Sequence, residues 1–406
     1  MQNGALSGLK IVELGHLVSG PYCAKLLADL GAEVIKVEEP GVGDEARRRE
    51  PFLHDKADPE RSGLFLYLNT NKLGVTLSLK SKTGREILHK LVKEADVLVE
   101  NNPPSIMEEC GLQYESLKGI NPRLIMTSIT PFGQSGPYRD YKATELISYH
   151  IGGLGYITPP VVEAVEQYPP LKAGGQLADF CTGTTAAVAT MVAVFYREAT
   201  GLGQQVDVSE QEAVASFFRS AFSAYSYTKT TQGRSREARR PAGVERILAC
   251  SNGYISFAPI QEDHWQRLLE MIGGSELAQD ERFKDAAGRR EHGEELTRVI
   301  GEWTRQHTKE EVADLIQGAD FPGVPVQDVN EAVDWDHFAA RDFFVDIDHP
   351  KVGKLRYPRG PYVFSKTPWR ASRPAPLLGQ HNEDIYCGRL GYSKEQLIRL
   401  RSAGVI

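Results

Sequence analysis

The chain is poor in cysteine: its 406 residues hold five, at positions 23, 110, 181, 250 and 387, an odd number with no C-x-x-C pair. That spacing speaks against a disulfide framework or a structural zinc site and predicts reduced thiols in a cytoplasmic protein. Positive charge is also in deficit. With 47 lysines and arginines against 54 acidic residues, the formal charge is -7. A nucleic-acid or anionic-membrane binder needs a basic surface to displace counterions, so neither class fits. The longest apolar run, at 186–196, is too short to cross a bilayer, and residues 1–10 carry no apolar signal segment, so a soluble, non-secreted protein is expected. Signature motifs are missing as well. There is no G-x-G-x-x-G after the first expected strand, no G-x-x-x-x-G-K-[ST], no H-E-x-x-H and no G-x-S-x-G. Nicotinamide dehydrogenase, P-loop NTPase, zincin and α/β-hydrolase readings therefore lose their support.

What is present is ordinary globular composition, 41% hydrophobic and 25% charged, in a chain long enough for roughly two or three domains. A strand at 10–14, a helix at 21–30 and a strand at 33–38 make a βαβ unit, with Ser19 placed to cap the helix and Gly31 to end it. Further strands at 74–79, 97–100, 124–129 and 205–209, with helices at 83–95 and 182–197, predict an α/β fold around a mostly parallel, doubly wound sheet. Lys229, Arg234, Arg236, Arg239 and Arg240 fall in a polar stretch that reads as a solvated connection between domains. Beyond it lie a hairpin at 247–258 turning at Asn252-Gly253, helices at 264–272 and 308–317, and a closing helix at 394–402. Thr308 and Glu311 form a capping box for the second of these helices.

The chemically informative residues sit at strand ends and helix starts, where open α/β sheets place their ligand crevice. Taken singly they are weak. Asp179 is a suitable helix N-cap, and Cys23 and Cys181 read as core fillers. Their order is more telling. Leu6-Ser7-Gly8-Leu9-Lys10-Ile11-Val12-Glu13-Leu14, Gly31-Ala32-Glu33-Val34-Ile35-Lys36-Val37-Glu38, Asn121-Pro122-Arg123-Leu124-Ile125, Ala178-Asp179-Phe180, Thr200-Gly201-Leu202-Gly203-Gln204 and Pro376-Leu377-Leu378-Gly379-Gln380-His381 together resemble the family III CoA-transferases. That group includes the formyl-CoA:oxalate and carnitine CoA-transferases and shares its fold with α-methylacyl-CoA racemases.

The resemblance implies an interlocked homodimer. Each chain would have a large Rossmann-like domain from 1–225 and 331–406, with a smaller α+β domain at 226–330 between those parts. It implies Asp179 as nucleophile, with CoA contacts at Val18, Ser19, Leu77, Ser78, Leu79, Lys80, Asn101, Asn102 and Pro103, and from Lys142 through Ala143 and Thr144 to Glu145. Two positions depart from the family pattern: Glu39 and Glu109 stand where formyl-CoA transferase has arginines for the CoA phosphates. Arg47, Arg48 and Lys72 are the nearest cations to replace them. His16, at the first βα turn, is placed to meet the acyl group. The expected substrates are an acyl-CoA and a carboxylic acid, with CoA as substrate, no bound cofactor and no metal.

A carboxylate nucleophile suits such a reaction, since it keeps the acyl group activated, first as a mixed anhydride and then as an aspartyl-CoA thioester. The racemase branch needs a histidine base where this chain has Thr144, and His150 lies six residues further on; it reads as a helix histidine. A non-catalytic acyl-CoA-binding protein would have no need of Asp179. The identity of the acyl group stays open, with Tyr225, Tyr227, Trp265 and the arginines at 234–240 all available to line a pocket.

Overall fold

In the computed structural model, residues 4–162, 164–231, 233–235 and 243–406 are described. The expected arginines at 236, 239 and 240 lie outside them. The described chain divides into two compact units, one of 1–154, 172–223 and 339–406, the other of 155–171 and 224–338. The second unit thus starts two residues before the expected boundary, ends eight after it, and takes in 155–171, a segment with no strong periodicity of its own.

The first unit opens β1 (Lys10–Leu14), α1 (Ser19–Ala28), β2 (Glu33–Glu38), α2 (Gly63–Leu68), β3 (Leu73–Thr76), α3 (Lys82–Glu94), β4 (Val97–Glu100), α4 (Pro104–Glu109), α5 (Tyr114–Lys118) and β5 (Ile125–Thr130). It continues with α6 (Glu145–Ile151), α7 (Leu177–Thr200), β6 (Gln205–Ser209) and α8 (Glu210–Phe217), while α9 (Arg219–Thr228) runs across the boundary. All six strands are parallel, in the order β3-β2-β1-β4-β5-β6. The direction of winding reverses between β1 and β4, which opens a crevice at their carboxyl ends.

Side-chain alternation explains the two coats of helices. Val12, Leu14, Leu98 and Met126 point to one face, against Ile87, Leu91 and Leu117 of α3 and α5. Ile11, Val97, Val99 and Ile125 point to the other, against Ala24 and Leu27 of α1 and Ala186 and Ala193 of α7. On this second face α7 comes close to α1, because Gly183 has no Cβ; one would sit 2.8 Å from the Ser19 carbonyl oxygen. With 24 residues, α7 is much longer than its apolar run. Among the described residues it is the one helix long and apolar enough to cross a membrane, which corrects the expectation that no segment is. Here its small-residue face is packed on α1. The free edge of β3 is sealed from the C-terminal segment, where His381 Nδ1 accepts from the Gly74 N–H at 3.0 Å and Asn382 Oδ1 from the Thr76 N–H at 2.9 Å.

The second unit holds β7 (Ile247–Cys250), β8 (Gly253–Phe257), α10 (Glu262–Ala278), α11 (Ala286–Glu291), α12 (Gly293–Thr304), α13 (Lys309–Gly318), β9 (Gly323–Val326) and α14 (Val329–Val333). The strands form an antiparallel sheet whose inner face meets Trp265, Leu296 and Val312. Thr308 and Glu311 make the expected reciprocal cap of α13. After α15 (Asp336–Ala340), the chain adds β10 (Phe344–His349), β11 (Gly353–Pro358) and α16 (Lys394–Ser402).

Beneath the crevice lies a buried chain of charges. Glu13 and Lys36 face each other in the β1–β2 register and pair at 2.9 Å, and Lys36 Nζ also reaches Asp44 at 2.7 Å and the Gly15 carbonyl at 2.9 Å. Lys72 closes the other Glu13 oxygen at 2.7 Å. Burial opposes ionisation of Glu13, but the two ammonium groups prevail and hold its carboxyl below the ordinary range. Replacing Lys36 with methionine leaves Glu13 and Asp44 short of a buried counter-charge and should cost about 3–5 kcal/mol. Urea unfolding followed by circular dichroism measures this, and a loss below about 1 kcal/mol, the scale of a surface pair, would show that the network does not support the fold.

Candidate active site

Two loops meet at the crevice, one after β1 and one after β4, and Asn101 clasps them. Its Oδ1 accepts from the His16 N–H at 2.7 Å, while its Nδ2 donates to the His16 carbonyl at 2.9 Å and to Ser19 Oγ at 3.2 Å. Asn102 repeats the motif, donating to the Leu14 carbonyl at 3.1 Å. Between them Leu17 takes a left-handed backbone (φ 57), held by an N–H bond to Asp44 Oδ1 at 2.9 Å. The buried charge chain thus fixes the loop that shapes the site. Ser19 is the first residue of α1, not its cap, since its hydroxyl is engaged with Asn101. Gly20 allows this approach, as a Cβ there would come within 3.1 Å of the Asn101 side chain.

A cavity of about 350 Å³ opens beside the clasp, lined by Val18, Ser19, Arg49, Asn101, Thr144, Glu145, Asp179 and Glu210, with Leu64 and Ile129 among its apolar walls. Three helices begin at it. Glu145 is the first residue of α6, Asp179 the third of α7 and Glu210 the first of α8. The N-cap position of α7 is Gln176, which makes no side-chain cap bond; instead Glu145 Oε1 accepts the Ala178 N–H at 3.2 Å. Asp179 is therefore not the cap that its residue type suggested. Capping has passed to a neighbouring helix, which leaves the aspartate free to face the cavity.

The electrostatics are unusual. Lys172 pairs with Glu145 at 3.0 Å, and Ser148 Oγ donates to Glu210 Oε2 at 2.7 Å. Burial raises the Asp179 pKa to about 8, with Glu210 and Glu145 adding repulsion and Lys172 only partly opposing them. Burial also raises that of Glu210, against hydrogen bonds from Ser148 and Ser19. Three helix N-termini favour negative charge at this spot, yet the pair Asp179 and Glu210 holds a proton more tightly than free carboxylates do. Perturbed acids converging in a concave site at a sheet switch point make this cavity the candidate active site.

Comparison with known proteins identifies the family. Residues 6–382 match the profile of CoA-transferase family III. The chain belongs to this family. It is 34% identical to a formyl-CoA:oxalate CoA-transferase from Streptomyces coelicolor over 99% of both chains. It is 31% identical to a succinyl-CoA–D-citramalate CoA-transferase from Chloroflexus aurantiacus, over 99% of this chain and 98% of that one. The crystal structure of a CAIB/BAIF family protein from Brucella suis superposes with a TM-score of 0.84 at 31% identity, covering 95% of this chain and 100% of that one.

In this CoA-transferase most of the residues expected from sequence line one of two cavities. Val18, Ser19, Asn101, Thr144 and Glu145 share the cavity of Asp179. Leu77, Lys80 and Asn102 line a second cavity of about 150 Å³, with Glu39 and Cys110. His16, expected beside the acyl group, lines this second cavity; burial pushes its imidazole pKa down, with Asp44 opposing. Lys142 is exposed and lines neither cavity.

Two of the proposed phosphate cations need correction. Arg47 is 0% exposed and its guanidinium is taken by Glu38, at 2.7 and 2.9 Å, and by Glu60 at 2.8 Å. Lys72 is also 0% exposed, and its ammonium is held by Glu13, the Pro21 carbonyl and Asn69. Both charges are thus engaged inside the protein. Arg48 is exposed with one bond to the Val42 carbonyl at 2.9 Å, and Lys80 is exposed beside Glu39 at 3.2 Å.

Sequence reasoning missed Arg49, Lys172 and Glu210. Glu210 had a readable signal, as an acid directly after the last parallel strand; Arg49 was hidden in a run of three arginines whose members face different ways. Among the described residues, no group of three or more His, Cys, Asp or Glu side chains has the arrangement to hold a metal ion.

The raised carboxylates carry a stability cost with a definite sign. A carboxyl whose pKa is higher folded than unfolded makes the native state bind the extra proton, so stability falls as pH climbs from about 4, the unfolded value, toward the folded one. Asp179→Asn should therefore match the wild type in melting temperature at pH 4 and exceed it increasingly up to about pH 8. Thermal melts across that range test this, and equal shifts at both ends would rule out a raised Asp179.

Proposed function

We propose that this enzyme moves CoA from an acyl-CoA to a carboxylic acid acceptor with Asp179 as covalent nucleophile. The observation that carries this reading is a partly buried aspartate, relieved of capping, in the first turn of a 24-residue helix at the mouth of a cavity on the sheet switch point. An Asp179 oxygen attacks the thioester carbonyl, and collapse of the tetrahedral adduct breaks the C–S bond, giving an aspartyl anhydride and CoA thiolate. The thiolate then attacks the Asp179 carbonyl, releasing the first carboxylate and leaving an aspartyl-CoA thioester. The acceptor carboxylate repeats the two steps in reverse. The helix terminus contributes roughly half a positive charge to favour the attacking carboxylate.

In this reading CoA runs along the carboxyl edge of the sheet, its thioester in the Asp179 cavity and the remainder passing the Asn101-Asn102 clasp toward Leu77 and Lys80. Lys80 and Arg48 are then the cations for its phosphates. Arg49, lining the Asp179 cavity and paired at its surface with Glu45 at 2.5 Å, is placed to draw in a carboxylate acceptor. The reading includes a homodimer: the outer face of α7 exposes Val188, Val192 and Phe195, the last 80% exposed, at helical spacing. Five free thiols fit a reducing, cytoplasmic setting. The racemase alternative loses ground because Thr144 opens α6 and His150 does not line the cavity.

Asp179→Asn and Asp179→Ser should fold and lose transfer by several orders of magnitude, measured as exchange of isotopic label between acyl-CoA and free acid. Hydroxylamine added during turnover should leave a hydroxamate on the peptide bearing Asp179, read by mass spectrometry. Near-normal exchange in the folded Asn variant, or the label on another carboxylate, would overturn the assignment. For CoA binding, Lys80→Ala should raise the Kd several-fold and make it less sensitive to salt in calorimetry; an unchanged Kd would move the phosphates elsewhere.

A further inference from the structure

We propose that Glu210 serves as a neutral carboxylic acid whose O–H donates a hydrogen bond to the acyl oxygen while Asp179 attacks. This rests on the covalent role of Asp179 proposed above. Glu210 is only 7% exposed, yet it lines the same cavity as Asp179. Its carboxyl is held by hydroxyls: Ser148 Oγ donates to Oε2 at 2.7 Å, and the Ser19 hydroxyl bonds it as well. Ser19 in turn accepts from Asn101, so the clasp that shapes the crevice also orients Glu210. A side chain fixed from two helices and aimed into a reaction cavity is pre-organised, which is what electrostatic stabilisation of a transition state requires.

Burial and the acidic groups around it favour the protonated form, against the hydrogen bonds from Ser148 and Ser19. From α7 it faces Asp179, and from α6 it faces Glu145, whose other oxygen holds Lys172. On β6, Asp207 accepts from the Gln134 N–H at 3.0 Å. Arg49, the cation in the cavity lining, is paired with Glu45. Mutual repulsion disfavours ionising a partly buried Asp179 and a buried Glu210 together, so in this proposal the pair works with one proton. Productive attack needs it on Glu210, the deeper of the two, leaving Asp179 ionised.

The step balances without a co-reactant. As the Asp179 oxygen bonds to the acyl carbon, the carbonyl π pair moves to the acyl oxygen, where negative charge would be repelled by an ionised Glu210 but is stabilised by its O–H. When the adduct collapses, the pair returns, the C–S bond breaks and CoA leaves as thiolate. Glu210 keeps its proton throughout, and the same donor is in place for the last step, when CoA thiolate attacks the acceptor's acyl carbonyl.

The test is the pH profile of kcat for label exchange. The wild type should rise with pH as Asp179 ionises and fall again as Glu210 loses its proton. In Glu210→Gln the amide donates at every pH, so the rate should drop by no more than about tenfold at the acid side and the alkaline limb should vanish, whereas Glu210→Ala should lose about 100-fold to 1000-fold in kcat with little change in KM. If Glu210→Gln falls as far as Glu210→Ala, or keeps the alkaline limb, the proposal is wrong. Should Glu210→Gln not fold, Ser148→Ala removes a hydrogen bond that favours the ionised form and should move the alkaline limb to higher pH; an unmoved limb overturns the proposal. Hydroxylamine trapping on the wild type separates the two levels, because a hydroxamate at Asp179 upholds the covalent reading whatever Glu210 does.

Discussion

Glu13 and Lys36, opposed on neighbouring strands and both fully buried, anchor the geometry on which the rest of this enzyme depends. Two charges inside a hydrophobic sheet are costly unless each is satisfied completely, and here the satisfaction comes from the loops that build the site. Lys36 takes the Gly15 carbonyl and Asp44, Asp44 takes the Leu17 N–H, and Lys72 completes Glu13. The first βα loop cannot shift without stranding a charge, so a strained Leu17 backbone is maintained. Arg47 extends the network through Glu38, which bonds the Asp44 N–H at 2.9 Å. A buried polar network of this kind specifies one arrangement of the crevice more than it adds stability.

The site above that network uses the opposite device. There, no cation among the described residues pairs with Asp179 or Glu210, and burial pushes both toward the protonated state. Like-charged groups kept close together destabilise a fold, and such strain is tolerated where chemistry needs it. The two clusters sit on one sheet and differ in their counter-charges. Glu13, with two ammonium groups, is held toward the ionised form; Asp179, buried beside two further carboxylates and a lysine already paired, is held toward the protonated one.

Much of the fold was legible in the chain. Strands at 10–14, 33–38, 97–100 and 205–209 and the helix at 394–402 coincide with the observed elements, because short apolar runs between turn residues carry a clear period. Helix ends were harder. α7 begins at Leu177, five residues before the helix start expected at 182, since its first turn is met by Glu145 from another helix and by no side-chain cap of its own. The segment 155–171 has no periodic pattern, and its grouping with the second unit comes from contacts with residues far along the chain.

What the sequence determined by itself was the parallel α/β sheet, the family resemblance and Asp179 as the residue to examine, because these depend on local period and on linear motifs. Tertiary structure decided which charges are available. Arg47, Arg48 and Arg49 are consecutive and chemically identical, yet Arg47 is locked to Glu38 and Glu60, Arg48 lies in solvent and Arg49 lines the Asp179 cavity. Likewise, Lys72 is consumed by Glu13, while Glu210, thirty-one residues beyond Asp179, becomes its neighbour. A side chain's charge is written in the sequence, but its counter-charge and its access to water are set by residues that meet only when the chain has folded.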